Sequence, residues 1–321
     1  MKARMLTAAI AALVMSVSLS GCITVHGERV KLPATTKAEA AKVLKSFTDI
    51  NNRSNEDMDA KLNRTIETGP LGAIDQAGLR AQKKVHPEGN PNYTPLEFSD
   101  TRFLIPQQAG WPKFFVADTL SNREDRRWLI VFTRDSVDAR WKATYLASLS
   151  ESELPTFTRD EKGYVEAVPL NESSELALAP ERLSRAYTTY LKDGKGRDFA
   201  PGPLTSELRE KRQKDARTPK VWNDYLDQPA DKGPFAPLGL RTSDGGAMVF
   251  FSTYHHHKQT AAKGLKPPLP DNVYKRAMIT GTPEHAITYT YVAQQAVSVP
   301  RKGGQVRFLY QMQGITAAKA E

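Results

Sequence analysis

The chain has 321 residues, 40 % of them hydrophobic and 25 % charged, with a formal net charge of +9. Those proportions belong to a globular protein long enough for two ordinary domains, and they exclude a largely disordered or collagen-like chain. A single cysteine, Cys22, excludes a disulfide framework, a cysteine nucleophile elsewhere in the chain and a thiolate metal site.

Lys2 and Arg4 precede an apolar run over residues 6–19, which ends at Ser20-Gly21-Cys22. Charge, apolar stretch and small residues at a cut are the three parts of an export signal. The run is shorter than the roughly 20 residues that span a bilayer. Leu19-Ser20-Gly21-Cys22 resembles the lipobox of bacterial lipoproteins. The resemblance implies cleavage between Gly21 and Cys22, a diacylglycerol on the Cys22 sulfur, and anchoring at the extracytoplasmic face of the cell membrane. A lipidated Cys22 anchors without any membrane-spanning helix. Loss of Lys2 and Arg4 lowers the net charge from +9 to about +7. A basic exported surface suits anionic headgroups and acidic wall polymers, whereas nucleic acid is not an expected partner outside the cytoplasm.

Residues 22–34 read as a polar tether. Thr36-Lys37-Ala38-Glu39 then fits a capping box, and Ala40, Val43, Leu44, Phe47 and Ile50 follow at helical spacing. Gly69-Pro70-Leu71 opens a weaker helical stretch to about Lys84. After a loop at residues 86–95 the period changes to two, giving candidate strands at 96–106, 113–120, 128–135 and 141–149. Their short connections predict an antiparallel meander. Residues 151–180 are mixed and proline-containing, with one candidate strand at 164–168, and read as a linker. Pro180 opens another helix carrying Leu183, Tyr187 and Leu191 on one face. Gly202-Pro203-Leu204, a helical stretch over 206–216, and strands at 238–241, 247–257, 286–299 and 305–317 complete the chain. One order of elements thus occurs twice, which predicts an α+β fold with two domains, residues 35–150 and 181–321.

Helices followed by a curved antiparallel sheet resemble the cone-shaped fold of nuclear transport factor 2, the SnoaL-like proteins and the cystatins. Over its whole length the chain is also similar to a family of functionally uncharacterised lipoproteins of high-GC Gram-positive bacteria. No catalytic motif defines that family, so only Cys22 carries over from it. Enzymes of the cone fold use an Asp base and a Tyr or protonated Asp donor; Asp118, Tyr145, Tyr254, Tyr289 and Tyr310 are the residues of matching type here.

The sequence offers two further clusters. His255 and His257 share one face of a strand and form half of a metal site, with Glu284 or His285 nearest to complete it. Trp111, Trp128 and Trp141 fall among the first strands, where they either fill the core or line a ligand pocket. Asn55, Asp57 and Asp59 begin like a calcium loop but lack its glycine and closing glutamate. No nucleophile elbow, S-x-x-K, H-E-x-x-H, phosphate loop or dinucleotide fingerprint is present. The expectation is a non-enzymatic binding or scaffold module of the envelope without a cofactor, whose partner is an envelope protein, a lipid or a wall polymer. An enzyme using a cone pocket is the alternative, and a solute-binding lipoprotein comes third.

Overall fold

A computed structural model of the protein describes residues 30–321; Gly21 and Cys22 lie outside them. The first half runs β1 (Leu32–Pro33), α1 (Lys37–Glu56), α2 (Ala60–Asn63), α3 (Gly69–Val85), β2 (Phe98–Leu104), β3 (Gln107–Gln108), β4 (Lys113–Ser121), β5 (Glu124–Arg134) and β6 (Lys142–Leu149). The second half runs α4 (Leu183–Asp193), α5 (Ser206–Asp215), β7 (Val221–Ala230), β8 (Leu238–Arg241), β9 (Ala247–Ala261), α6 (Val273–Ala277), β10 (Ile279–Thr280), β11 (Ala286–Val299) and β12 (Arg307–Ala320).

The caps explain where the helices begin. Thr36 Oγ1 accepts from the Glu39 amide at 3.1 Å, and Asp59 accepts from the Lys61 and Leu62 amides. Asp59 is therefore a helix cap, and the calcium-like spacing of 55–59 is the seam between two helices. Gly69 starts α3 at φ +59°, with its bare Cα against the Pro234 carbonyl. A Cβ there would lie 2.3 Å from that oxygen, so only glycine permits the approach.

Four strands form the first sheet in the order β2-β4-β5-β6, all antiparallel. The second has the order β10-β12-β11-β9-β7, with β8 also on β9, and is antiparallel except for the β10–β12 pair. Strand alternation gives each sheet two apolar faces. Phe115, Ile130 and Phe132 of the first sheet pack under Ala40, Leu44 and Phe47 of α1. Its other face, with Val116, Leu129, Val131 and Tyr145, meets Leu240, Met248, Phe250 and Ala296 of the second sheet. The far side of the second sheet, Val249, Phe251 and Val297, is covered by Leu183, Tyr187 and Leu191 of α4. The layers are helix, sheet, sheet, helix, an α+β fold.

Besides the short elements β1, α2, β3, α6 and β10, which the sequence did not announce, the elements differ from the expected ones at three places. Residues 164–168 form no strand, because their backbone alternates between partners: Val165 N donates to Ile105 O in the first half and Val168 N to Gly239 O in the second. The segment 151–180 is thereby bonded to both sheets. Strand β7 had no apolar run to announce it; it lies at the sheet edge with Trp222, Asp224 and Leu226 exposed, and its Pro229 is tolerated at such an edge. Strand β9 continues past His257 to Ala261, so the three histidines lie inside a ladder.

Candidate functional site

Two helices carry a polar residue where their apolar stripe should continue. On α1, Leu44 and Phe47 lead to Asn51, which is buried. On α3, Leu71 and Leu79 flank Asp75 at intervals of four residues, one face of a helix. Glu67 lies between α2 and α3, where Thr68 N donates to Ala143 O and Ala143 N to Ile66 O, tying this turn to β6. That tie drives the Glu67 side chain inward, to 1 % exposure.

Together these residues floor a cavity of about 480 Å³. Phe47, Leu71, Leu96, Trp128, Leu146 and Met312 give it apolar walls, and Asn90, Asn92, Tyr93 and Arg123 stand at its rim. The rim is fixed: Asn52 Oδ1 accepts from the Leu96 amide at 2.7 Å and from the Tyr93 hydroxyl at 2.9 Å, and the Arg123 guanidinium lies 5.3 Å from the Tyr93 ring. On the floor, Asn51 Nδ2 donates to Glu67 Oε1 at 3.4 Å, and Asn55 Nδ2 to Asn51 Oδ1 at 3.2 Å. Among the described residues, Glu67 Oε2 and both polar atoms of the buried Asn63 have no ordinary donor or acceptor. Such orphans are rare in native cores.

A second carboxyl, Asp75, lines the same cavity beside Glu67. Burial pushes the Glu67 carboxyl well above its usual range, and the neighbouring Asp75 charge adds to the rise. Burial raises Asp75 to about 6, against the hydrogen bond from Glu67. Both carboxyls thus hold their protons more tightly than exposed acids do, because two neighbouring carboxylates in a buried site resist ionising together. Asp75 is half-buried and lines the cavity.

A pH dependence follows. A carboxyl raised in the native state binds its proton more tightly there than in the unfolded chain, so stability falls as pH rises. For Asp75 the window runs from 3.8, its ordinary value, to about 6. The melting temperature of the wild type should fall across that window more steeply than that of Asp75→Asn. Parallel curves for the two proteins would remove the pair from consideration.

The residues singled out from sequence lie at several places. Trp128 lines this cavity and donates from Nε1 to Glu124 Oε1. Trp141 lines a neighbouring cleft of about 340 Å³ beside α1 and donates to Glu39 Oε1 at 2.9 Å. Trp111 is 43 % exposed at the end of the first sheet. The three indoles line no common cavity, although Trp111 and Trp141 both lie against Arg134.

His255 Nδ1 meets Asp227 Oδ1 at 2.5 Å and its Nε2 meets Thr253 Oγ1 at 2.8 Å, so both ring nitrogens are engaged. Burial would raise Asp227, but the bonds from His255 and Arg212 hold it below its usual value. His257 stacks on Tyr225, its Nε2 meets Asn223 Oδ1, and burial with the Arg212 charge lowers it to about 4. Glu284 is paired with Lys266. Among the described residues no group of three or more His, Cys, Asp or Glu side chains is placed to hold a metal ion.

Asp118 is bound by Arg127, and the Tyr145 hydroxyl donates to the Phe235 and Ala236 carbonyls. Tyr254 packs on Phe235, Tyr289 is buried beside His257 and Tyr310 is half-buried against the inter-sheet core. Glu67 and Asp75 stood out in no motif; the one sequence trace is an acid at a stripe position of α3.

A family model described as a domain of unknown function, DUF8094, matches residues 31–320. The chain belongs to the DUF8094 family. The DUF8094 chain is 46 % identical over 314 residues to a protein of Streptomyces avermitilis named "Uncharacterized lipoprotein", covering 97 % of this chain and 94 % of the relative. A Streptomyces coelicolor protein, also named an uncharacterized lipoprotein, is 45 % identical over 311 residues, with 97 % and 93 % covered. A second from that organism is 28 % identical over 305 residues, with 89 % and 82 % covered. No solved structure matches the chain. The word lipoprotein in the relatives' names agrees with the lipobox at residues 19–22. No helix among the described residues is long and apolar enough to cross a membrane.

Proposed function

We propose that the protein is a binding module of the cell envelope, anchored by lipid on Cys22 at the extracytoplasmic face, and that its ligand sits in the cavity floored by Glu67 and Asp75. The observation that carries this reading is the Glu67–Asp75 pair itself. A buried carboxyl set beside a second acid destabilises the fold, and such costs concentrate where a protein binds or reacts. The apolar walls with a few convergent polar groups suit a small ligand that has an apolar body and a hydrogen-bond donor for Asp75. In this reading each half, residues 35–150 and 181–321, is a cone-shaped domain joined by 151–180, and wall polymers or envelope proteins remain partners for the outer surface.

One observation favours an enzyme as the second reading. Asp75, raised to about 6, is matched to proton abstraction near neutral pH, and Glu67 beside it, whose carboxyl burial also raises, is the candidate acid. The Tyr93 hydroxyl is already donated to Asn52, so the acid role falls to Glu67. An importer-type solute binder usually has parallel sheets, whereas both large sheets here are antiparallel but for one pair.

The test is a thermal-shift screen of the mature chain against sugars, amines, lipids and wall fragments, repeated on Glu67→Gln and Asp75→Asn. A ligand at 100 times its Kd stabilises by about 2.7 kcal/mol. The expected result is a shift in the wild type that both variants lose. Glu67→Gln alone should raise the stability of the unliganded protein by about 1 kcal/mol, since its amide donates to Asp75 without a second acidic group. Ligand shifts that survive both substitutions would move the binding site elsewhere.

A further inference from the structure

We propose that the end of the first sheet at which the described chain begins rests on the lipid bilayer, with Trp111 and Val137 inserted at the depth of the headgroups. The proposal rests on the reading of Cys22 as the lipid-bearing residue. From Cys22 to Val30 the chain reaches at most roughly 28 Å even when fully extended. The first described residues are then pinned: Leu32 pairs with Gln108, and Lys113 Nζ donates to the Leu32 and Gln108 carbonyls, both at 3.2 Å. A lipid on Cys22 thus holds the β3–β4 loop close to the membrane surface.

That loop does not stand alone. Lys113 lies opposite Arg134 in the β4–β5 ladder, so the β5–β6 turn at residues 135–141 lies at the same end of the sheet. The large hydrophobic residues exposed at this end are Val30 at 76 %, Leu32 at 58 %, Trp111 at 43 % and Val137 at 68 %. Two belong to the incoming chain and two to the tips of adjacent loops. The Trp111 indole is backed by cations: Arg134 lies 5.3 Å and Lys113 5.8 Å from its ring. Arg134 is itself held by the Trp141 ring at 4.7 Å and by Glu39 at 3.3 Å. A fixed, half-exposed indole with a polar edge is the side chain that settles at a membrane interface. Asp135 and Asp138, on either side of Val137, offset two of the three charges of Lys31, Lys37 and Arg140, so insertion of apolar groups provides most of the attraction and the residual positive charge little.

A rival surface exists at the edge strand β7, where Trp222 is 53 % and Leu226 55 % exposed beside Arg217, Lys214 and Lys220. The two surfaces are separated by reconstituting the acylated protein into phosphatidylcholine vesicles whose acyl chains carry bromine, a quencher of indole fluorescence. The wild type should be quenched, Trp111→Phe should lose most of that quenching, and Trp222→Phe should keep it. In the unacylated Cys22→Ser chain, Trp111→Ala combined with Val137→Asp should lower vesicle partitioning about tenfold or more, with little dependence on salt. Quenching that survives Trp111→Phe and disappears in Trp222→Phe would overturn the proposal, as would an acylated protein that floats with vesicles but shows no quenching. Failure of the wild type to float at all would instead strike the lipid anchor itself, which flotation and the mass of Cys22 report independently.

Discussion

Arg127→Ala is expected to cost about 3–5 kcal/mol of unfolding free energy, because it strands a buried carboxylate. The Arg127 side chain is 2 % exposed and that of Asp118 7 %. The guanidinium makes four hydrogen bonds: Nε bonds Asp118 Oδ1, Nη1 bonds Asp100 Oδ2 at 2.7 Å, and Nη2 bonds the Asp100 carbonyl at 2.7 Å and that of Asp118 at 3.2 Å. Removing it leaves Asp118 with Arg102, half-exposed and 3.9 Å away, as its remaining cation. Burial already raises the Asp118 carboxyl, with Arg127 opposing. Without Arg127 the rise grows, so protonation rescues the variant, and the gap to the wild type should narrow as pH falls. Urea unfolding of the wild type, Arg127→Ala, Asp118→Ala and the double variant measures this. The double variant should lose clearly less than the sum of the singles. A loss below about 1 kcal/mol for Arg127→Ala would mean that the pair behaves as an exposed one.

Phe115→Ala should cost a similar amount, about 3–5 kcal/mol, by a different route. Phe115 is fully buried on the α1 side of the first sheet. Its ring stacks on Phe132 at 5.0 Å and meets the edge of Trp141 at 4.9 Å and of Phe103 at 6.2 Å. Truncation removes the ring and leaves a hole that a rigid sheet closes poorly. Phe115→Leu restores most of the volume and should cost less than about 1.5 kcal/mol. Equal losses for Ala and Leu would show that ring stacking, not volume, dominates. No pH dependence should accompany either change, in contrast to Arg127→Ala.

These two residues also show which parts of the fold were legible. Phe115 sits in an alternating apolar run, and period two announces such a strand whatever its partners. Arg127 sits in a charged stretch that reads as a turn, yet strand alternation places it on the face of Leu129 and Val131. Its burial is created by Asp100 and Asp118, which no local pattern links to it. Strand β7 escaped for the same reason: Asp227 is polar in sequence and becomes a core residue only because Arg212 of α5 and His255 of β9 bind it.

The candidate site was less legible than the fold. Asp75 left a trace, an acid at a stripe position between Leu71 and Leu79. Glu67 left none, since the turn that buries it is tied to Ala143, far along the chain. The residues that drew the eye, His255 and His257, were conspicuous by composition, and the structure occupies them with Asp227, Thr253 and Asn223. Trp128 reaches the cavity, while Trp141 and Trp111 face other surroundings.

Met312 adds a consequence of its own. It belongs to β12, in the last ten residues of the chain, yet it walls the cavity whose acids come from the first hundred. Nearby, the Leu146 amide donates to Gln294 Oε1, and Gln294 Nε2 reaches the Met312 sulfur. A chain stopped at residue 150 would present the same two carboxyl groups in an unroofed hollow. A cut within residues 150–180 would therefore separate the two acids from part of their wall.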